Sequence, residues 1–168
     1  MDLHSSKKGM KNNSKHISLM LSIAWCIILG VLAYSIINHF ADGNLSFPQV
    51  CSTEKCFTVE LARTPDEQEV GLMNRSFMAE NSGMLFIFPQ NDFYVFRMKN
   101  TLIPLDMVWI DTTLRVVKII TAQPCIAEPC AIYNPGIRAT YVLEINSWSA
   151  VKYGIVEWTQ MEFRNIDK

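Results

Sequence analysis

The sequence predicts an α+β protein that consists of one N-terminal transmembrane helix and a small, strand-rich domain. Three features indicate this: a long uncharged apolar segment near the N-terminus, later short segments with the alternation of half-buried strands, and four cysteines in two close pairs. The chain has 168 residues, and because a domain usually takes roughly 100–200 residues, one domain with an appendage is expected. We expect the sheet to curl into a barrel or sandwich with one or two short helices.

The first element is a predicted membrane anchor at residues 17–37, which follows a basic tail at residues 1–16. The uncharged run is close to the ~20 residues that a helix needs to cross a bilayer. Short segments rich in lysine stay in the cytoplasm, and the tail carries Lys7, Lys8, Lys11 and Lys15. The sequence therefore predicts a single-pass protein of the cell membrane, with a cytoplasmic N-terminus and an extracytoplasmic C-terminal domain.

Other interpretations of the apolar segment remain open. A cleaved signal peptide has a shorter apolar core of roughly 7–15 residues and a small-residue cleavage site, whereas this run ends at Asn38, His39 and Phe40. A buried helix of a soluble protein is a further alternative. A lipoprotein is disfavoured, because a small residue is needed before the modified cysteine and Trp25 precedes Cys26.

Residues 38–55 are predicted to form a tether and residues 56–165 the extracytoplasmic domain. The tether is polar and contains Gly43 and Pro48. Without the four tail lysines and Asp2, the 15 basic and 16 acidic residues fall to 11 and 15, a net charge of −4. A mildly acidic domain has no electrostatic surface for nucleic acid, so no nucleic-acid partner is expected.

The first part of the domain is predicted to form a strand and a short helix. Apolar and polar side chains alternate over residues 57–61, which is the period of a half-buried strand. Thr64 is a suitable N-cap, Pro65 suits the first turn, and Glu67 completes a capping box. The helix is expected to end near residues 71–75.

The remaining elements are predicted to be mostly strands. Short apolar or alternating runs predict strands at residues 83–88, 94–98, 107–110, 115–121, 141–145 and about 156–163. The third and fourth of these form a hairpin around Asp111, Thr112 and Thr113. A short helix is expected near residues 147–153, and residues 122–138, with three prolines, are expected to form a loop.

Four cysteines of the outer part form two matched pairs, Cys51 with Cys56 and Cys125 with Cys130. In an oxidising compartment an even number of cysteines indicates disulfides. The local pairing within each pair is favoured, although crossed pairings would close longer loops and stabilise the fold more. A zinc site with four thiolates is the rival interpretation. Cys26 lies in the apolar segment and is expected to be inert.

Polar residues embedded in apolar sequence are the candidate ligand-binding residues. They are Arg75, Lys99, Asn100, Thr101, Asp106 and Glu144. A charge inside a strand must pair or face water. Either Asp106 or Glu144 forms a structural ion pair with a cationic side chain, or these groups line a pocket for a polar ligand.

The composition excludes several kinds of chemistry. All three histidines, His4, His16 and His39, precede the domain, which argues against a hydrolase of the Ser-His or Cys-His kind. Five methionines, Met73, Met78, Met84, Met98 and Met107, fit a core better than a copper site. No metal, cofactor or catalytic residue can be assigned.

The amino-acid sequence of the domain resembles the family called domain of unknown function 192. The resemblance rests on residues 71–75 (GLMNR), 83–88 (GMLFIF), 98–107 (MKNTLIPLDM) and 141–145 (YVLEI), together with the late loop 124–133, and it covers about residues 57–163. It implies a small, strand-rich domain, often exported or membrane-anchored, with no established activity. Arg97 stands where this family commonly has an aromatic residue, residues 146–149 lack its usual glycine, and Glu157-Trp158 replaces its late Gly-Asp.

Two functions follow from these observations. The first is an accessory module of the cell envelope that binds an unknown small ligand or envelope protein. The alternative is an enzyme that acts on a polar envelope substrate through a Lys/Asp/Arg/Glu cluster. The enzyme hypothesis requires that Arg75, Lys99, Asp106 and Glu144 converge at an open cleft.

Overall fold

The structure, a computed structural model, describes residues 20–21, 24–36 and 47–167, and the chain divides into two units, residues 1–45 and 46–168. Residues 20–21 and 24–36 are helical. Within the described residues, no helix is both long enough and apolar enough to span a bilayer. The predicted basic tail and the first half of the predicted tether lie outside the described residues, as do parts of the predicted anchor.

The second unit is a strand-rich α+β domain with two short helices among its described residues. The elements are β1 (Gln49–Cys51), β2 (Cys56–Ala62), α1 (Pro65–Val70), β3 (Ser82–Asp92), β4 (Phe96–Arg97), β5 (Leu105–Ile110), β6 (Val116–Ala122), β7 (Ile132–Tyr133), β8 (Ala139–Asn146), α2 (Ser149–Lys152) and β9 (Glu162–Arg164). Seven strands form one sheet in the order β6-β5-β8-β3-β2-β1-β9, and β4 pairs with β7. Only β2 and β3 pair in parallel, and α1 connects them.

The sheet curls into a half-barrel. The segment directly before β9 hydrogen-bonds to the start of β6, at the opposite edge of the sheet. The amide of Val116 donates to the carbonyl of Thr159 at 3.0 Å, and the amide of Met161 donates to the carbonyl of Leu114 at 2.8 Å. Bringing the edges together satisfies backbone groups that an open edge leaves unpaired. The prediction of a strand-rich, curled domain is confirmed.

The helix α1 begins as its sequence predicts. The Thr64 hydroxyl accepts a hydrogen bond from the Glu67 amide at 3.3 Å, and the Glu67 carboxylate accepts one from the Thr64 amide at 2.9 Å, which completes the capping box. The helix ends at Gly71, whose φ of 47° is unfavourable for other residues. A Cβ at Gly71 would lie 3.3 Å from the Phe86 ring, so glycine also allows the chain to approach β3 closely.

The sheet carries a core on each face. The first core, which we call the methionine-rich core, contains Met78, Met84, Met98 and Met107 together with Trp109. Four of the five methionines that were expected to lie in a core are therefore found there. The second, the aliphatic core, is built mainly from aliphatic side chains with Phe57 and Met161. Because side chains alternate between the faces of a strand, each strand of the sheet's centre contributes to both cores.

Both local cysteine pairings are confirmed. The sulfur atoms of Cys51 and Cys56 lie 2.11 Å apart, and those of Cys125 and Cys130 lie 2.15 Å apart. Cys51 and Cys56 are also directly opposite each other in the β1–β2 ladder, so the first disulfide closes a hairpin.

Several predicted boundaries were wrong. Residues 49–51, assigned to the tether, form β1 between β2 and β9, and Val50 packs into the aliphatic core. The segment 94–98 is strand only at Phe96–Arg97, and the loop 122–138 contains its partner, Ile132–Tyr133. The last strand covers Glu162–Arg164 rather than 156–163, because the backbone before it bonds to β6 instead.

Candidate functional site

The two buried carboxyl groups of the predicted site lie on opposite faces of the sheet. In the pairing of β5 with β8, Asp106 is opposite Ile145 and the adjacent Met107 is opposite Glu144. Residues paired across a ladder share a face, and neighbours along a strand alternate. Asp106 therefore faces the aliphatic core, whereas Glu144 faces the methionine-rich core.

Asp106 has a structural role. Its carboxylate is 1% exposed and accepts hydrogen bonds from the Thr121 hydroxyl at 2.7 Å and from the Ala150 amide at 3.0 Å. Ala150 lies in the first turn of α2, where Trp148, the N-cap, provides no side-chain acceptor. The Asp106 carboxylate on β5 thus caps α2, whose N-cap residue provides no side-chain acceptor. This hydrogen bond also connects α2 to the sheet.

Glu144 is buried in an apolar setting. It is 5% exposed, it faces Met84 on β3 and Met107 on β5, and its pKa is raised to about 8 by burial. At neutral pH the carboxyl group therefore holds its proton. The ion pair between Glu144 and a cationic side chain that the sequence suggested is absent among the described residues.

Arg75 pairs with Glu60 instead. Its guanidinium donates to both carboxylate oxygens of Glu60, which holds the pKa of that carboxyl below its ordinary value. Glu60 is opposite Met84 in the β2–β3 ladder, and Met84 is opposite Glu144. The two carboxyl groups therefore share a face but are separated by two strand spacings, about 10 Å.

Lys99, Asn100 and Thr101 form a turn that joins three parts of the domain. The amide of Asn100 donates to the carbonyl of Cys125, and the amide of Asn74 donates to the carbonyl of Asn100, each at 2.8 Å. Asn100 has a φ of 55°, a conformation that asparagine tolerates better than most residues. The turn thus connects the segment after α1 with the second disulfide, and it leaves Lys99 exposed.

The turn borders a cleft that we call the aromatic cleft. It has a volume of about 470 Å³ and lies between α1, β3 and the segment that contains β4. Its aromatic wall consists of Phe86, Phe88, Tyr94 and Phe96, and its polar lining of Gln68, Glu69, Arg97 and Lys99.

The aromatic wall is held in place by its own contacts. The rings of Phe88 and Tyr94 stack with centroids 3.5 Å apart, and Phe96 packs edge-on against Phe86 at 4.9 Å. The indole N–H of Trp109 donates to the carbonyl of Tyr94 at 3.0 Å. The wall is therefore preorganised by its ring packing and by this hydrogen bond.

The structure brings only one of the six predicted residues, Lys99, to the aromatic cleft. Arg75 lines a neighbouring cleft on the other side of α1, with a volume of about 440 Å³. The aromatic residues were not predicted as site residues, although their spacing by two, at 86 and 88 and at 94 and 96, was visible. No group of three or more His, Cys, Asp or Glu in the described ranges is placed to hold a metal ion.

The comparisons with known proteins agree with this architecture. Residues 49–163 match the family domain of unknown function 192, described as "Uncharacterized ACR". The chain belongs to this family. The match begins at β1, which supports placing the first strand within the domain rather than in a tether. No curated protein matches the chain.

The chain is similar to two solved structures. A proposed transcription regulator from Sinorhizobium meliloti is 32% identical, with a TM-score of 0.63 over 72% of this chain and 98% of that one. A protein of unknown function from Novosphingobium aromaticivorans is 33% identical, with a TM-score of 0.60 over 68% of this chain and 82% of that one. Neither description states a ligand.

Replacing Asp106 with alanine is expected to destabilise the fold. The change leaves the buried Ala150 amide and the Thr121 hydroxyl without their acceptor, which costs about 2–4 kcal/mol. Urea unfolding of the full-length protein measures the loss. The exposed Asp66 in the first turn of α1 provides the control, since Asp66→Ala is expected to cost less than about 1 kcal/mol. Equal losses in the two variants would show that Asp106 does not hold α2.

Stability is expected to fall as the pH rises from about 5 to about 8. The folded state keeps a proton on Glu144 up to about pH 8, whereas the unfolded chain releases it near 4.5. The folded state thus binds more protons in this window, and raising the pH favours unfolding by an amount on the order of a few kcal/mol.

Glu144→Gln removes this titration. Urea midpoints at pH 5 and pH 9 are expected to differ less in the variant than in the unaltered protein, with the variant the more stable at pH 9. An identical pH dependence in both proteins would mean that Glu144 ionises normally in the folded state.

Proposed function

We propose that this chain is a membrane-anchored, extracytoplasmic module that binds a small anionic ligand with a ring in the aromatic cleft. Residues 17–37 would serve as the anchor and the lysine-rich tail would lie in the cytoplasm. The module would be an accessory of the cell envelope rather than an enzyme.

The proposed location is supported by the sequence and by the two cysteine pairs. The uncharged run is long enough for a helix to cross a bilayer, and the lysines before it favour a cytoplasmic N-terminus. Both cysteine pairs of the domain lie at bonding distance, and disulfides persist mainly in oxidising compartments outside the cytoplasm.

The binding role rests on one observation: the aromatic cleft combines a preorganised aromatic wall with two cations, Arg97 and Lys99, against a single carboxylate, Glu69. Arg97 and Lys99 line the cleft, and neither takes part in an ion pair within the described ranges. Concave sites with apolar walls and a few converging polar groups are the usual places for small ligands. The unpaired cations favour a ligand that carries a negative charge.

Two other functions receive less support. Catalysis by the predicted Lys/Asp/Arg/Glu set is not proposed, because Asp106 and Glu144 face opposite sides of the sheet and Arg75 is paired with Glu60. The description of the Sinorhizobium meliloti relative is not carried over. The part of this chain after residue 37 has a net charge of −4, which does not favour binding to nucleic acid.

The orientation can be tested with single cysteines. A membrane-impermeant maleimide is expected to label Thr112→Cys, in the exposed turn after β5, in intact spheroplasts. Ser5→Cys in the basic tail is expected to react only after lysis. The unaltered protein measures the background from Cys26. Labelling of Ser5→Cys before lysis, or protection of Thr112→Cys, would contradict the proposed topology.

Ligand binding can be tested with galacturonate, a sugar ring that carries a carboxylate. Calorimetric titration of the full-length protein, in a detergent without a sugar headgroup, is expected to show binding. Lys99→Ala and Arg97→Ala should each weaken it about tenfold or more, because each removes a charge-assisted hydrogen bond worth about 1.5–3 kcal/mol.

The matched control is Lys118→Ala, which removes an exposed lysine that already pairs with Glu157 at 3.1 Å, away from the cleft. It is expected to leave the affinity unchanged. If Lys99→Ala and Arg97→Ala both bind galacturonate as tightly as the unaltered protein does, the aromatic cleft is not its site.

A further inference from the structure

The loop that the second disulfide closes is connected to both cations of the aromatic cleft. At the start of this loop, Lys99 forms a β-bridge with Cys125. After the end of the loop at Cys130, Arg97 pairs with Ile132 in the ladder of β4 with β7. The disulfide thus joins the two backbone segments that hold Arg97 and Lys99.

The connection at Cys125 is made by backbone groups of the turn at residues 99–101. The amide of Asn100 donates to the carbonyl of Cys125 at 2.8 Å, and Thr101, like Lys99, forms a bridge with Cys125. Cys125 itself packs against the methionine-rich core. The position of the turn therefore depends on the position of this cysteine.

The connection after Cys130 is a two-stranded sheet of minimal length. The strands β4 and β7 have two residues each, and Phe96 lies opposite Tyr133 beside the pair that contains Arg97. An isolated two-stranded pairing is only marginally stable in water. A covalent closure of the loop before β7 supports this pairing, because it reduces the freedom of the chain that the pairing must otherwise restrict.

Within the described residues, few other contacts close the loop. Residues 126–129 are all exposed, and no backbone hydrogen bond joins two residues of the loop in that part of the chain. Across its base, the Gln123 amide donates to the Tyr133 hydroxyl at 3.1 Å, which is a weaker constraint than a covalent bond. Without the disulfide, the loop would regain conformational freedom.

The first disulfide lies in a different environment. Cys51 is 2% exposed and directly opposite Cys56 in the β1–β2 ladder, so the other pairs of this ladder hold the two strands together without it. Both cysteines of the second disulfide are partly exposed, whereas only Cys56 of the first is. Thiol–disulfide exchange requires access to a sulfur atom. A reductant is therefore expected to open the second disulfide more readily than the first.

We propose that the Cys125–Cys130 disulfide positions both cations of the aromatic cleft, and that its reduction by a dithiol weakens ligand binding there. A thiolate of the dithiol attacks one sulfur and breaks the S–S bond, and the second thiol of the reductant then displaces the cysteine. Two electrons pass to the cysteines, which become thiols and take up two protons, and the dithiol becomes a disulfide. This inference rests on the proposed binding function and adds its regulation.

Graded reduction of the full-length protein with dithiothreitol tests this inference. Cysteines that become free are alkylated and located by mass mapping, the reductant is removed, and galacturonate binding is measured by calorimetry in a detergent without a sugar headgroup. Cys125 and Cys130 are expected to become free at a lower dithiothreitol concentration than Cys51 and Cys56. The affinity for galacturonate should fall about tenfold over the same range, and reoxidation of an unalkylated sample should restore it.

The double substitution of Cys125→Ser with Cys130→Ser removes the disulfide without a reductant or an alkylating group. It is expected to weaken galacturonate binding about tenfold and to raise deuterium uptake at residues 96–101, because the Asn100 amide loses a fixed acceptor. Uptake in β6 should not change, which would show that the sheet is intact. A rise in β6 as well would attribute the loss to unfolding of the domain and contradict the proposal.

The matched control is the double substitution of Cys51→Ser with Cys56→Ser, which removes the other disulfide. It is expected to leave the galacturonate affinity and the deuterium uptake at residues 96–101 unchanged. The partly reduced protein makes the same comparison with the unaltered sequence, so the test does not depend on the folding of this control.

The possible failures are distinguishable. If the protein with a reduced second disulfide binds galacturonate as tightly as the oxidised protein, the regulation is wrong and the binding function stands. If the first disulfide opens as readily, or if the affinity falls only when the first opens, the assignment to the second disulfide is wrong. If the oxidised protein does not bind galacturonate, the proposed function is overturned, and the deuterium uptake at residues 96–101 alone decides whether the disulfide positions the turn.

Discussion

The placement of β8 between β3 and β5 is the constraint on which the rest of the domain depends. Its register sends Asp106 and Glu144, which come from adjacent positions of one ladder, to opposite faces of the sheet. Gly83 permits this packing, because a Cβ there would lie 2.6 Å from the Glu144 carbonyl oxygen. One strand register thus decides which carboxyl caps a helix and which remains protonated in the methionine-rich core.

The turn at residues 99–101 has a related role on the side of the clefts. It is bonded through its backbone to Asn74 and to Cys125, so the turn connects the segment after α1 to the second disulfide. Lys99 and Asn100 are exposed in this turn, whereas Thr101 is buried. Residues that look functional in the sequence are here mostly structural, and the aromatic cleft lies beside them.

Irregularities of the sheet define the clefts. The sheet is regular where β3, β8 and β5 pair, and the cores there are built mainly from buried apolar side chains. Beyond Ile87 the β3 bulge interrupts the ladder, and the aromatic segment that follows folds back so that Tyr94 stacks on Phe88. Among the described residues, the buried Thr140 hydroxyl, which has no hydrogen-bond partner there, lies where regular pairing ends. Irregular pairing therefore shapes this surface of the domain.

Local patterns in the sequence were enough to predict the strand-rich α+β class, the capping box of α1, the hairpin of β5 and β6, the local disulfides and the family. Each of these depends on residues close in the chain. The site was only partly predictable: of the six candidate residues, Lys99 alone lines the aromatic cleft.

The tertiary structure decided the remaining features of the fold and of the site, because these depend on contacts between segments that are distant in the chain. The partner of Asp106 is an amide of α2, and the partner of Arg75 is a strand side chain of β2. Alternation along a strand shows that two residues face opposite ways, but not which face meets which core. Only the strand order and register specify that, and they also place Phe86 and Phe88 of β3 in the wall of the aromatic cleft.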